Sequence, residues 1–152
     1  MAFADAVIVA AGSSQRMGGV DKLSADLDGR SLLEWAATAM AAASSVRRVV
    51  VVTAADRVPA LAAERWVRAL EAIVVPGGAR RQDSVAAGVE HCDAEVVLVH
   101  DGARPFPSVE LVDAVAGAAR AHGAAIPVLA VVDSLKRIEP SGDAATTERD
   151  GL

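Results

Sequence analysis

A glycine- and serine-rich stretch with two basic side chains lies near the N-terminus, at residues 10–22. Its small residues can turn backbone N–H groups towards an anion, and Arg16 and Lys22 add positive charge where phosphates would lie. The stretch is neither a Walker A loop nor a G-x-G-x-x-G dinucleotide loop, and a surface turn with solvated cations is the alternative. Its position after an apolar run, together with the two cations, favours phosphate binding.

A second stretch, residues 76–84, contains two adjacent glycines and ends in Asp83 and Ser84. Glycines allow a ligand to approach the backbone closely, whereas Asp and Ser are also common first residues of helices. For Asp83 the sequence favours helix capping. For Gly78 and Ser84, a plain turn and a ligand contact are equally supported.

A third stretch, residues 99–105, places Asp101 and Arg104 directly after an apolar run. A carboxylate in this position suits Mg²⁺, which commonly takes one or two protein carboxylates and fills its other positions with phosphates and water. Arg104 can hold an anion through two hydrogen bonds, and an Asp–Arg ion pair that closes a tight turn is the alternative. His100 is interpreted as structural, because a single histidine is weak evidence for a zinc site.

Short apolar runs rich in valine must position these stretches, and each run is continuous rather than alternating. Continuous runs are typical of strands buried on both faces, as in the parallel sheet of an α/β protein. Alanine-rich segments with helical spacing lie between them, which predicts a doubly wound α/β sheet whose ligands bind beyond the carboxyl ends of the strands. The predicted strands are 6–10, 48–53, 72–75, 95–100 and 125–132, and the predicted helices are 32–44, 56–70, 85–92 and 109–122.

Specific residues mark the predicted helix ends. Ser31 and Ser108 are predicted N-caps, and Glu34 is placed to complete a capping box with Ser31. Gly123 is a predicted helix stop. Asp83 or Ser84 would begin the helix that follows the second stretch.

The segment at 135–149 differs from the rest of the chain, because it is too polar to belong to the core. Its pattern predicts a strand, a turn and a second strand. Such a hairpin would project as an arm and would need a partner to cover it.

The composition limits the class of protein. A chain of 152 residues with 53% hydrophobic and 23% charged residues fits one globular domain and excludes a disordered chain. The formal net charge of −5 argues against a non-specific nucleic-acid binder. A single cysteine, Cys92, excludes an internal disulfide framework and a multi-cysteine metal site. The sequence shows neither a signal peptide nor a membrane span, so a cytoplasmic protein without a membrane partner is expected.

The third stretch carries the most specific resemblance to a known family. Val97-Leu-Val-His-Asp-Gly-Ala-Arg104 closely resembles a signature of the 2-C-methyl-D-erythritol 4-phosphate cytidylyltransferase family, which acts in the non-mevalonate isoprenoid pathway. Residues 133–137 and 147–152 resemble two later segments of the same family. The second stretch resembles another motif of the family through Gly77, Gly78, Arg81, Asp83, Ser84 and Gly88.

The resemblance implies a Rossmann-like nucleotidyltransferase sheet, mostly parallel, with a projecting β-hairpin arm. Residues 1–152 would form a single nucleotidyltransferase domain, with residues 133–152 as the arm segment. The implied reaction is cytidylyl transfer from CTP to 2-C-methyl-D-erythritol 4-phosphate, with Mg²⁺ as cofactor and pyrophosphate as the second product. The implied assembly is a homodimer joined through the arm.

The resemblance also implies roles for individual residues. Arg16 and Lys22 would be the catalytic cations, and Asp101 would ligate Mg²⁺. The triphosphate would be held by the backbone of Ala11, Gly12 and Ser13, and the cytosine and ribose by Gly78, Ser84 and Gly102. The polyol phosphate would be held by Asp101, Arg104, Ser134 and Arg149, the last two acting across the dimer.

Two other hypotheses stay open. The first stretch alone also resembles the molybdenum-cofactor nucleotidyltransferases, which often carry Arg-Met-Gly before their lysine. In this sequence Arg16-Met-Gly18 precedes Lys22. Within the cytidylyltransferase family, Asp21 stands in place of the usual proline and Ser134 in place of a threonine. Family members continue well beyond the segment at 147–152, so the C-terminal part of the fold is expected to be absent. A non-catalytic nucleotide-binding or dimerisation fragment is therefore the second alternative.

Overall fold

The computed structural model describes residues 1–12 and 25–148. Its elements in chain order are β1 (Ala4–Val9), β2 (Asp26–Leu27), β3 (Arg30–Ser31), α1 (Leu32–Ala41), β4 (Val46–Thr53), a 3₁₀ turn (Ala55–Arg57), α2 (Val58–Ala62), α3 (Arg65–Ala69), β5 (Ile73–Pro76), α4 (Arg81–Val89), β6 (Val96–Asp101), α5 (Val109–His122), β7 (Leu135–Ile138) and β8 (Ala144–Thr147). Four strands form a parallel sheet in the order β5–β4–β1–β6. The predicted parallel α/β sheet is therefore confirmed.

The side chains of β1 alternate between two apolar clusters, one on each face of the sheet. On one face Ile8 belongs to a cluster that includes Met40 of α1 and Val112 of α5. On the other face Val7 belongs to a cluster that includes Val52 of β4. Complete burial of a side chain such as Ile8 contributes roughly 1.5–3 kcal/mol. Burial on both faces explains why the strands are continuous apolar runs.

Helix α4 approaches the second face of the sheet at a glycine. A Cβ atom on Gly88 would lie 2.4 Å from Cγ1 of Val7 and 2.8 Å from Cγ2 of Val52. Both distances are shorter than two carbon atoms tolerate, so this approach requires a residue without a side chain. The contact holds α4 against β1 and β4.

Both predicted N-caps and the predicted helix stop are confirmed. The hydroxyl of Ser31 accepts a hydrogen bond from the Glu34 N–H at 3.1 Å, and that of Ser108 accepts one from the Leu111 N–H at 3.2 Å. Helix α5 ends at Gly123, whose φ of 89° is easily adopted by glycine. These signals are local, so the sequence alone was enough to identify them.

The predicted boundaries of two helices are wrong. Helix α4 begins at Arg81 with Arg80 as its N-cap residue, so neither Asp83 nor Ser84 begins the helix. The Asp83 carboxylate accepts a hydrogen bond from the Arg80 N–H at 3.2 Å, which satisfies that N–H from inside the helix. Helix α1 ends at Ala41 rather than at residue 44. The stretch 56–70 forms the 3₁₀ turn and the two short helices α2 and α3.

The predicted strand at 125–132 is wrong. These residues are neither helix nor strand, and the side chains of Ile126 and Leu129 are 81% and 94% exposed. An apolar run forms a strand only where another strand offers backbone partners, and none pairs with this run in the described part of the chain. Elsewhere in the described part of the chain, no helix is long and apolar enough to cross a membrane.

Two small antiparallel hairpins lie outside the main sheet. The predicted arm is confirmed as a hairpin, with β7 paired to β8 from Leu135 opposite Thr147 to Ile138 opposite Ala144. The hairpin of β2 and β3 was not predicted, although its turn carries an Asp-Gly pair, Asp28 and Gly29, that favours such turns. Both turn residues have positive φ values, 55° and 78°.

A carboxylate on α5 ties this helix to the loop that follows α1. Asp113 accepts hydrogen bonds from the N–H and hydroxyl of Ser44 at 3.2 and 2.8 Å. It accepts equivalent bonds from Ser45 at 2.9 and 2.5 Å. These bonds favour the ionised carboxylate and lower the pKa of Asp113 to about 2.

The low pKa of Asp113 predicts a pH-dependent contribution to stability. Because the folded pKa of about 2 lies below the ordinary value of 3.8, the contribution is complete above about pH 4 and is lost as the pH falls towards 2. We expect Asp113→Ala to lower the midpoint of urea unfolding at pH 7, and the difference from wild type to shrink below pH 4. Glu64→Ala is the control, because the Glu64 side chain makes no capping hydrogen bond. A difference that is the same at every pH would contradict this account.

Candidate functional site

The carboxyl ends of β1, β5 and β6 lie at one edge of the sheet, and backbone hydrogen bonds extend the ladders beyond the strands. The Gly77 N–H donates to the Thr53 carbonyl at 2.7 Å, and the Gly102 N–H donates to the Val9 carbonyl at 3.0 Å. The chain passes from β1 to β4 on one side and returns to β6 on the other side. Strand β1 is therefore the switch point at which sheets of this kind bind ligands.

The first and second loops are in close contact at Gly77. A Cβ atom on this residue would lie 2.6 Å from Cβ of Ala11 and 2.7 Å from Oγ of Ser84. Because Ala11 has no longer side chain that could rotate away, the space can hold only a glycine. The backbone after β1 thus lies directly beside the backbone after β5.

The buried side chain of Ser84 forms hydrogen bonds with the backbone of the second loop. The residue is 2% exposed, and its hydroxyl accepts a hydrogen bond from the Gly78 N–H at 3.2 Å. The same hydroxyl lies 3.3 Å from the Arg80 carbonyl, to which it can donate. In this arrangement the Ser84 side chain fixes the loop around Gly78.

Asp101, the last residue of β6, carries a partly exposed carboxylate between two arginines. Nη2 of Arg81 donates a hydrogen bond to Oδ1 of Asp101 at 2.7 Å. Nε of Arg104 lies 3.4 Å from Oδ2 of the same carboxylate. The Arg81 hydrogen bond is the main cause that lowers the pKa of Asp101, with a smaller contribution from the charge of Arg104. The carboxylate is therefore ionised at neutral pH.

The turn after β6 is closed by backbone and ring contacts. The Arg104 N–H donates to the Asp101 carbonyl at 3.0 Å, and Nε2 of His100 lies 2.8 Å from the Arg104 carbonyl. His100 therefore has the structural contact that the sequence predicted. The Arg104 side chain is 78% exposed, so the turn holds its backbone while its guanidinium faces solvent.

A cavity of about 1040 Å³ lies between β6 and α5. Its lining includes apolar side chains such as Leu111 and two separate groups of charged side chains. Glu95 and Arg120 pair before the start of β6, whereas Arg81, Asp101 and Arg104 lie at its carboxyl end. Chemistry is expected at the carboxyl end, because sheets of this kind bind ligands there.

A family model for 2-C-methyl-D-erythritol 4-phosphate cytidylyltransferase matches residues 4–152. The chain belongs to this family. The match includes all three loops, so it decides in favour of the cytidylyltransferases over the molybdenum-cofactor family that the first loop alone left open.

Curated relatives in the cytidylyltransferase family are longer than this chain. The 2-C-methyl-D-erythritol 4-phosphate cytidylyltransferase of Saccharopolyspora erythraea is 41% identical over 149 residues, which cover 93% of this chain and 66% of the relative. That of Streptomyces avermitilis is 40% identical over 144 residues, which cover 90% of this chain and 58% of the relative. The chain therefore spans about two thirds of the length of these relatives or less.

Solved structures of the family have the same fold. The crystal structure of 2-C-methyl-D-erythritol 4-phosphate cytidylyltransferase from Thermus thermophilus is similar with a TM-score of 0.74 and 35% identity, covering 100% of this chain and 66% of that one. The 4-diphosphocytidyl-2C-methyl-D-erythritol synthase of Anaerococcus prevotii is similar with a TM-score of 0.78 and 27% identity, covering 99% of this chain and 66% of that one. These matches confirm the nucleotidyltransferase fold.

Most of the described residues predicted for the site lie at the same edge of the sheet. Ser134 differs, because it is an exposed residue directly before β7 in the arm. Four predicted residues lie outside the described part of the chain: Ser13, Arg16, Lys22 and Arg149. The other described residues lie in or next to the loops at the carboxyl edge, with Ser84 in the first turn of α4 and Asp101 at the end of β6: Ala11, Gly12, Gly78, Ser84, Asp101, Gly102 and Arg104.

Two residues of this edge were given no role from the sequence, Gly77 and Arg81. Both belong to the second motif. Nothing local distinguishes Gly77 from its neighbour Gly78, or Arg81 from its neighbour Arg80. Their contacts join positions that are far apart in the chain, and Arg81 and Asp101 are 20 residues apart. No local pattern reports such a contact.

The residues at the edge fit a Mg²⁺ ion that is held mainly by substrate. Within residues 1–12 and 25–148, no group of three or more His, Cys, Asp or Glu side chains is arranged to hold a metal ion. Asp101 offers one ionised carboxylate, whose Oδ2 lies farther from its arginine partner than Oδ1 does, at 3.4 Å against 2.7 Å. Mg²⁺ often takes one or two protein carboxylates together with phosphates and water, so Asp101 is a suitable protein ligand.

The contact at Gly77 predicts the effect of adding one methyl group. We expect Gly77→Ala to lower the free energy of unfolding by about 1–3 kcal/mol, since the new Cβ would overlap Ala11 and Ser84. Gly117→Ala is the matched control, because a Cβ there meets nothing within 4 Å and the residue lies inside α5. It should raise stability by about 0.5–1 kcal/mol. Urea unfolding followed by circular dichroism measures both, and a neutral Gly77→Ala would show that the loops are not in contact.

Proposed function

We propose that this protein transfers the cytidylyl group of CTP to 2-C-methyl-D-erythritol 4-phosphate and releases pyrophosphate, in the non-mevalonate route to isoprenoids in the cytoplasm. The observation that carries the proposal is Asp101, held ionised between Arg81 and Arg104 at the carboxyl edge of the sheet and beside the end of β1. An anionic metal ligand beside an exposed cation suits a substrate with several phosphates. The family match supports the choice of nucleotide and acceptor.

The reaction would be a direct displacement at phosphorus. A phosphate oxygen of 2-C-methyl-D-erythritol 4-phosphate attacks the α-phosphorus of CTP and forms the new P–O bond. The bond from that phosphorus to the oxygen that bridges it to the β-phosphate breaks, and the electron pair leaves with pyrophosphate. Such transfers need positioning and charge stabilisation rather than a covalent enzyme intermediate.

The residues of this chain would supply that positioning. Arg104, whose guanidinium faces solvent, would bind the phosphate of the acceptor, while Arg16 and Lys22 would stabilise charge on the triphosphate. Asp101 would hold Mg²⁺, which, when bound, neutralises charge on the phosphates. The loop fixed by Gly77 and Ser84 would bring backbone groups close to the nucleotide.

A pyrophosphate-release assay with CTP, Mg²⁺ and 2-C-methyl-D-erythritol 4-phosphate tests the activity. We expect release only when all three are present, and we expect Lys22→Ala to lower kcat by about 10³-fold or more, as for other cations at phosphoryl-transfer transition states. Glu64→Ala should leave turnover unchanged. Turnover by Lys22→Ala equal to wild type would contradict the assignment, and binding of Mg·CTP without release would favour the non-catalytic nucleotide-binding alternative.

We also propose that the protein forms a homodimer through the arm, which would let Ser134 act across the dimer. Both strands of the arm are largely exposed, and an isolated two-stranded hairpin is only marginally stable in water. A second copy that covers the arm would supply the missing contacts. Sedimentation equilibrium at micromolar concentrations should show a dimer, and Ile138→Lys, at an exposed apolar position of β7, should weaken it. A monomer at these concentrations would contradict the dimer.

A further inference from the structure

An ion pair spans the carboxyl edge of the sheet from α4 to β6. Arg81 is the first residue of α4, and Asp101 is the last residue of β6. Nη2 of Arg81 donates to Oδ1 of Asp101 at 2.7 Å, a short distance that is typical of a charge-assisted hydrogen bond. Because α4 is held against β1 and β4 at Gly88, the backbone of Arg81 is anchored relative to the sheet.

The two oxygens of Asp101 are bound unequally. Oδ1 accepts the Arg81 hydrogen bond, whereas Oδ2 lies 3.4 Å from Nε of Arg104, beyond ordinary hydrogen-bond distance. The Arg104 side chain is also the more exposed of the two arginines. Oδ2 is therefore the less tightly held of the two oxygens.

The arginine next to Arg81 is already engaged elsewhere. Nε and Nη2 of Arg80 donate to the two carboxylate oxygens of Asp83 at 3.0 and 2.7 Å. The same two residues form the capping box at the N-terminal end of α4. Arg80 therefore cannot replace Arg81 at Asp101 without opening its own contact.

We propose that Arg81 is a positioning residue that holds Oδ1 of Asp101 and thereby orients Oδ2 towards the metal ion of a bound nucleotide. The inference rests on the proposed function, in which Asp101 is the protein ligand of Mg²⁺. Partners that orient a metal ligand from behind commonly change metal affinity by about 10- to 100-fold when they are removed.

Two other roles for Arg81 make different predictions. A purely structural ion pair between exposed side chains contributes little to stability and would leave metal binding unchanged. A direct contact between Arg81 and the nucleotide would weaken binding whether or not Asp101 is present. A positioning role predicts that the effect of Arg81 depends on Asp101, which a double-mutant cycle measures.

Binding of Mn²⁺ in the presence of CTP, measured from the electron paramagnetic resonance signal of free Mn²⁺, tests the proposal without requiring turnover. We expect Arg81→Ala to weaken Mn²⁺ binding to the protein–CTP complex by about 10- to 100-fold. In the Asp101→Asn background, Arg81→Ala should change it by less than about twofold. Arg120→Ala is the matched control, because it removes the 2.8 Å ion pair with Glu95 before the other end of β6 and should leave Mn²⁺ binding unchanged.

Each outcome gives a definite answer. Wild-type binding of Mn²⁺ by Arg81→Ala overturns the inference, and so does an equal loss in both backgrounds, which indicates direct contact. Thermal unfolding followed by circular dichroism shows whether Arg81→Ala is folded. Arg81→Gln repeats the binding measurement with a longer polar side chain, so that a loss of Mn²⁺ binding caused by misfolding is excluded. A wild-type chain that binds neither CTP nor Mn²⁺ with CTP overturns the proposed function, and with it the inference. That result differs from failure of the inference alone, in which wild type binds and Arg81→Ala binds equally.

Discussion

Strand β1 is hydrogen-bonded along both edges, to β4 and β6, and covered by apolar clusters on both faces. A parallel strand in this position leaves its carboxyl end in a crevice, because the chain departs to one side and returns to the other. Ala11 lies two residues after β1 and meets Gly77 of the loop after β5, while Gly102 of the loop after β6 bonds to Val9 at the end of β1. The small side chains of the core let α4 approach closely at Gly88. The location of the site therefore follows from the order of the strands.

The structure separates a structural carboxylate from one suited to function. Asp5, in β1 towards the opposite edge, is 0% exposed, and Nε of Arg47 donates to it at 3.0 Å. Its second oxygen accepts the N–H groups of Asp93 and Ala94 at 3.0 and 3.1 Å, so all of its capacity is used internally. A buried charge needs such complete pairing. Asp101 is partly exposed, and its partners Arg81 and Arg104 have side chains that are 62% and 78% exposed.

The two N-cap predictions agree with the structure because the interaction that decides each of them is local. Ser31 and Ser108 cap helices because each hydroxyl meets an N–H three residues later, a distance that the sequence shows directly. The prediction at 125–132 failed because apolar composition indicates burial but does not supply a neighbouring strand. The predicted start of α4 was wrong for a different reason. Asp83 is the third residue of the helix, and from there its carboxylate accepts a hydrogen bond from the N–H of the N-cap residue, Arg80.

The sequence by itself determined the class of fold and the three loops that carry the candidate site residues, since these depend on runs, caps and motifs of neighbouring residues. The tertiary structure decided which groups meet. It placed Gly77 against Ala11, buried the hydroxyl of Ser84 under the second loop, and joined Arg81 to Asp101. Contacts between separate elements depend on how helices pack on the sheet. That packing is set by close approach of backbones in three dimensions, which no pattern along the chain records.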